Sequence, residues 1–233
     1  MKRNVFILFV SALALMTSVT YAQGGQSRSV SGFSSIESGG PFNVHVKING
    51  TESIKLDIDE DVINDVRTEV VGGVLKIGFK NNFSFKHRNI KRGEIYVTAK
   101  SLEALANSGS GSLDLDGVLT GQSVSVILSG SGNMKAAVKA GSLESRLSGS
   151  GGIDLKGSAD EANLRISGSG NIEGKSLTAQ TVTANVTGSG GITIRATKTI
   201  SSRITGSGSV DYAGGATVGE DRHTGSGRLN KVD

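Results

Sequence analysis

Cysteine and tryptophan are absent from this 233-residue chain, proline occurs once, at Pro41, and aromatic residues make up only 4%. Without cysteine there is no disulfide framework, no thiolate site and no cysteine to carry a lipid anchor. A single proline beside 34 glycines, about twice the usual ~7%, argues against collagen-like or proline-rich disordered sequence. So few rings mean a thin core of aliphatic side chains. The three histidines, His45, His87 and His223, stand in unrelated contexts and no G-x-S-x-G is present, so no hydrolase triad is signalled. They read as surface or edge residues.

The chain begins with Lys2 and Arg3, an apolar run from Val5 to about Val19, and Thr20-Tyr21-Ala22. Charged start, short apolar stretch and small residues make a secretory leader with cleavage expected after Ala22. The run is shorter than the roughly 20 residues of a spanning helix, so no membrane span is expected once the leader is removed. Setting aside Lys2 and Arg3 lowers the formal charge from +4 to +2, which gives no reason to expect nucleic acid as a partner. The remainder is long enough for one sizeable core or two small ones.

What the sequence has is a repeat. SGSG at Ser108, Ser129, Ser148 and Ser167 is followed by TGSG at Thr187, Thr205 and Thr224. A period near 20 residues signals a solenoid, because a flexible linker would not hold register. Four residues after the first glycine stand Leu113, Met134, Ile153, Ile172, Ile192, Val210 and Leu229, all apolar. Two residues before it stand Asn107, Leu128, Leu147, Ile166, Val186, Ile204 and His223, aliphatic in the five inner copies. The flanks alternate with a period of two, the mark of strands with one buried face.

A unit of about 19 residues cannot pair its own strand edges, but coils stacked at ~4.8 Å can, and they bury a continuous aliphatic column. The fold class expected is therefore all-β: a β-helix, or solenoid, of ~19-residue coils with Gly-Ser-Gly corners and a less regular β region at its N-terminal end. Glycine permits the sharp corner, and the serine and threonine hydroxyls in every copy suggest hydrogen-bonded ladders along the axis. Polar Asn107 and His223 suggest the two ends of the stack, with Glu220-Asp221-Arg222-His223 guarding an edge by charge. Residues 1–22 are then the leader, 23–106 an irregular β region or degenerate coils capping the helix, and 107–233 the regular repeats.

With leader, irregular strands, Gly40-Pro41-Phe42-Asn43-Val44 and seven [ST]-G-S-G corners in view, the chain resembles the putative auto-transporter adhesin head GIN domain family of Gram-negative bacteria. The resemblance covers roughly residues 30–230. It implies a β-helical exported protein with a surface or adhesion role and supplies no catalytic residues. No translocator barrel is recognisable after Asp233, so self-transport across an outer membrane is not expected.

Candidate chemistry is sparse. A phosphate loop needs one glycine turn between strand and helix with a partner lysine, and here the turn comes seven times with no helical period. Five residues after the corner glycine, Asp114, Asp154, Glu173 and Asp211 form an acidic column interrupted by Lys135, Thr193 and Asn230, at the wrong period for a calcium nonapeptide roll. Asp57, Asp59 and Asp61 read as a solvated strand and turn rather than a glycosidase pair. No cofactor or metal is expected. Three residues before the corner, Arg146, Arg165, Arg203 and Arg222 would line one face, and arginine forks match carboxylate and sulfate. Glu144 and Glu220 can offset Arg146 and Arg222, whereas Arg165 and Arg203 have no acidic residue two positions earlier. The basic run Lys86–Arg92 is a weaker, loop-borne candidate. The function expected is a non-catalytic surface or periplasmic binding protein for a surface glycan, an anionic polymer or a protein. The alternative is a carbohydrate-active enzyme on the same β-helix.

Overall fold

The computed structural model describes residues 25–80 and 93–232, so the expected leader and the Lys86–Arg92 run lie outside the described residues. In chain order the elements are β1 (Gln26–Arg28), β2 (Ser35–Gly40), β3 (Asn43–Ile48), β4 (Ser53–Ile58), α1 (Glu60–Ile63), β5 (Val66–Val71), β6 (Val74–Phe79) and β7 (Gly93–Ala99). The repeats follow as β8 (Ala104–Gly109), β9 (Ser112–Gly130), β10 (Asn133–Gly149), β11 (Gly152–Gly168), β12 (Asn171–Gly188), β13 (Gly191–Gly206), β14 (Ser209–Ala213), β15 (Thr217–Gly225) and β16 (Arg228–Lys231).

The strands from β8 onward pair in parallel, each with the equivalent strand one coil away, which is the β-helix the repeat implies. Corner stands on corner: Gly149 is level with Gly130 below and Gly168 above, and Ile153 is level with Met134 and Ile172. Inside, the two apolar columns join one continuous buried cluster. Burying each such side chain contributes roughly 1.5–3 kcal/mol. Coils of unequal length stay in register because the mismatch is absorbed at local irregularities. In three coils these fall at the looser bend after the outward acidic column, between Lys135 and Ala137, Asp154 and Lys156, and Gly174 and Thr178. Further on they fall between Ala179 and Thr181 and between Ile200 and Ser202.

The corner ladder is made by the backbone. The carbonyl of Gly149 accepts from the N–H groups of Ser169 and Gly170 at 3.0 and 3.1 Å, and Gly130 does the same for Ser150 and Gly151, both at 3.1 Å. The expected hydroxyl ladders are not what ties coils together. The serines between the glycines and the hydroxyls before them are exposed in all seven copies. Among the described residues, the one hydroxyl bond from these columns runs from Ser108 Oγ to the Ser38 carbonyl. Equivalent short hydroxyls on successive coils repeat at ~4.8 Å, beyond hydrogen-bond reach of one another, whereas the backbone N–H and carbonyl groups point along the axis.

The solenoid starts one coil earlier than the seven motifs suggest. β2 and β3 flank a corner at Gly40, which is level with Gly109, while Val44 is level with Leu113. This founding corner reads Gly-Pro-Phe instead of Gly-Ser-Gly for a physical reason. In later coils the residue after the first glycine donates its N–H to the corner beneath, and Pro41 has no N–H to leave unpaired. In later coils the second glycine lies so close to the corner beneath that a Cβ on Gly170 would stand 2.2 Å from the Gly151 carbonyl oxygen. Phe42 occupies that position in the founding coil and packs its ring 5.0 Å from Phe79.

Asn107 is consequently not at an end. It lies in the second coil with Ser38 at its level, is 2% exposed, and donates from Nδ2 to the Gly111 carbonyl at 2.9 Å. His223 does lie in the outermost described coil, where β15 is exposed along its length.

Residues 49–80 and 93–103 leave the coil path and finish the N-terminal end. β6 adds in parallel beside β2 and forms an antiparallel hairpin with β5; β7 adds in parallel beside β3 and pairs antiparallel with β4, which pairs with β1. Together these strands cover the N-terminal end of the stack. Glu52 anchors the cap: its carboxylate accepts from the N–H groups of Gly32 and Phe33 and meets Lys100 Nζ at 2.9 Å. No described helix is long and apolar enough to cross a membrane.

Candidate functional site

Arg146, Arg165, Arg203 and Arg222 fall in one column because parallel pairing keeps the third position before the corner level in every coil. Arg146 is level with Arg165, Arg165 with Asn185, Asn185 with Arg203, and Arg203 with Arg222. All four arginines are exposed, since inward and outward positions alternate and their neighbours Leu147, Ile166 and Ile204 point into the core. Adjacent guanidinium groups are therefore carried on strands ~4.8 Å apart.

Their electrostatics differ. Arg146 is held along its own strand by Glu144, with Nε and Nη2 at 2.8 and 2.6 Å from the same oxygen. Glu220 takes both Arg222 and, from the coil below, Arg203, at 2.5 and 3.2 Å. Arg203 thus has an acidic partner, contrary to the expectation from its own strand. The carboxylate comes from the next coil, a neighbour visible only once the register is known. Arg165 differs because Asn163 stands where Glu144 stands one coil earlier. Its guanidinium makes no ion pair or side-chain hydrogen bond among the described residues.

Beside Arg165 runs a shallow groove of about 350 Å³, lined by Ile127, Arg146, Arg165 and Asn185 and by the hydroxyls of Ser148 and Ser167. Cations above an apolar wall and a row of hydroxyls can take an anion attached to a polar chain. A guanidinium not already engaged gives up less on binding than one that must leave a carboxylate.

Among the described residues, the other sequence candidates do not assemble into reactive centres. Asp57 faces out of β4 level with Glu94, while Asp59 is the N-cap of α1 and Asp61 lies in its first turn. No group of three or more histidine or acidic side chains among the described residues is placed to hold a metal ion. His223 meets Asp221 at 3.6 Å on the last coil. His45 has a stronger partner: its Nε2 is 2.6 Å from Glu94 Oε2, and Asn43 Nδ2 donates to Glu94 Oε1 at 2.8 Å. Burial pushes the Glu94 carboxyl up, but the hydrogen bonds from Asn43 and His45 and the imidazole charge outweigh it and hold it below the usual range. Beside this group Tyr96 stacks on the imidazole with centroids 5.1 Å apart. Within its own strand Tyr96 is only one alternating outward residue, and nothing local signals the neighbours it acquires from β3.

The family model described as putative auto-transporter adhesin, head GIN domain, matches residues 32–216. A crystal structure of a putative adhesin from Bacteroides fragilis is similar with a TM-score of 0.82 at 25% identity, covering 89% of this chain and 96% of that one. A putative lipid binding protein from Parabacteroides distasonis gives 0.73 at 25% identity, with 90% and 96% covered. A putative adhesin from Parabacteroides merdae gives 0.71 at 23% identity, again with 90% and 96% covered. No curated protein matches the chain in sequence.

Proposed function

The chain belongs to the putative auto-transporter adhesin, head GIN domain family, and from that premise we propose that it is an exported, non-catalytic binding protein of the bacterial surface or periplasm whose arginine row takes anionic groups. The family description and the neighbouring putative adhesins support a binding role; the leader pattern of residues 1–22 supports export. The observation that carries the anion reading is the unengaged guanidinium of Arg165, level with Arg146 over a hydroxyl-lined groove. Four guanidinium groups against the two carboxylates of Glu144 and Glu220 leave the row net positive. The partner class it fits is a sulfated or uronic glycan, another anionic polymer, or an acidic protein surface.

Retention on immobilised heparin tests this. Arg165→Ala should elute at clearly lower salt than the parent chain and Arg146→Ala/Arg165→Ala lower still, with Arg165→Lys in between because ammonium lacks the planar fork. Unchanged elution of the double variant would exclude the row as the binding element.

A further inference from the structure

The second outward face, beyond the corner from the arginines, carries a different kind of surface. Along one level of the sheet stand Lys55, Tyr96, His45, Asp114, Lys135 and Asp154, contributed by β4, β7, β3, β9, β10 and β11. Tyr96 is 46% exposed and is the one exposed aromatic side chain among the described residues. One side of its ring is backed by His45, which Glu94 fixes in turn, and Glu94 is fixed by Asn43. Asn43 also accepts from the Ser112 N–H and hydroxyl at 3.3 and 3.1 Å. On the other side of Tyr96, at the same level, stands Lys55 of β4. The stem of Lys55 leans away toward β1, so close that a Cβ at Gly25 would stand 2.3 Å from Lys55 Cε. The Tyr96 hydroxyl has no partner among the described residues.

The ring is thus held from one side by an anchored imidazole while nearly half of its surface meets solvent. We propose that Tyr96 is the stacking platform of a second site, for a neutral polysaccharide lying across the strands. The weakly positive C–H groups on one face of a pyranose match the negative face of an aromatic ring, and the ring arrives preorganised. The polymer then runs into the adjoining groove of about 440 Å³, where Asp114, Asp154 and Glu173 outnumber Lys135. Carboxylate oxygens accept from sugar hydroxyls, and Asn171, whose Oδ1 is held by the Gly191 N–H at 2.9 Å, keeps its amide donors for a ligand. The same excess of negative charge disfavours an acidic glycan here, so the two faces select different polymers. This site does not depend on the arginine row.

Affinity electrophoresis of the full chain through gels containing laminarin, hydroxyethyl cellulose or dextran is the test. Retardation by at least one of these is expected. Tyr96→Ala should weaken it roughly tenfold, while Tyr96→Phe retains it, because the ring face and not the hydroxyl carries the stacking. Arg165→Ala should leave it unchanged. Because Tyr96 is exposed, an unchanged melting temperature will show that Tyr96→Ala folds; if it does not, His45→Ala, which removes the backing ring, should give the same weakening. No retardation by any of the three polymers, or retardation that survives Tyr96→Ala, would overturn the proposal. Binding to heparin alone, lost with Arg165→Ala, would also overturn it while leaving the arginine row standing.

Discussion

At the corner, two demands fall on one residue. Gly168 has φ +130°, and a Cβ there would stand 2.3 Å from the Gly149 carbonyl oxygen that the next coil's N–H groups use. A side chain would strain its own backbone and pry the coils apart. Gly168→Ala is expected to destabilise by roughly 3 kcal/mol, the scale of positive-φ strain with an overpacked contact. Its neighbour Ser169 is exposed and gives the ladder only its N–H, so Ser169→Ala should stay within about 0.5 kcal/mol. Urea midpoints of the two variants check both statements at once. The sequence showed that these positions repeat, and glycine's stereochemistry explained why. It could not show which ladder forms, because Ser-Gly-Ser-Gly supplies a hydroxyl and an N–H at the same repeat and only their direction relative to the axis separates them.

Within a strand, alternation was enough to place most of the core. Leu147, Ile153 and Leu155 are each at most 2% exposed, as their spacing around the corner of β10 and β11 requires. Alternation says nothing of partners, however. β4 and β7 alternate as β3 does, yet β4 runs antiparallel to β7 and β7 parallel to β3, so the company of Tyr96 was hidden in long-range pairing. The pattern also has exceptions that differ in kind. Ser145 and Ser202 both stand at inward positions; Ser202 donates to Asp221 at 2.5 Å, whereas Ser145 Oγ is buried with no partner among the described residues. A buried hydroxyl without a bond has lost its water for nothing. Ser145→Ala should therefore raise stability by about 1 kcal/mol, visible as a higher melting temperature. A lower one would mean that the hydroxyl is needed in the core.

Across the molecule, register makes the coil a removable unit. Deleting residues 150–168 joins Gly149 to Ser169, preserving the corner as Ser148-Gly149-Ser169-Gly170. β12 would then settle on β10 with every column intact: Val186 over Leu147, Ile172 over Met134, and Asn185 over Arg146. Since each coil of a solenoid contacts only its neighbours, the shortened chain loses one coil and one interface without exposing a new kind of surface. It should show the β-rich circular dichroism of the parent and unfold cooperatively at a lower temperature. Deleting only 159–168 joins Ser158 to Ser169, which destroys the corner and leaves half a coil, so the strands that follow no longer stand a whole coil above β10 and the chain should not fold. The whole-coil deletion also separates the binding faces. Loss of 150–168 takes away Arg165 while leaving β3 and β7, so heparin retention should fall as in Arg165→Ala while retardation by the neutral polymer persists in weakened form, because Asp154 goes with the coil. If heparin retention instead survived the loss of the coil that carries Arg165, the anionic polymer would have to be held elsewhere on the rod.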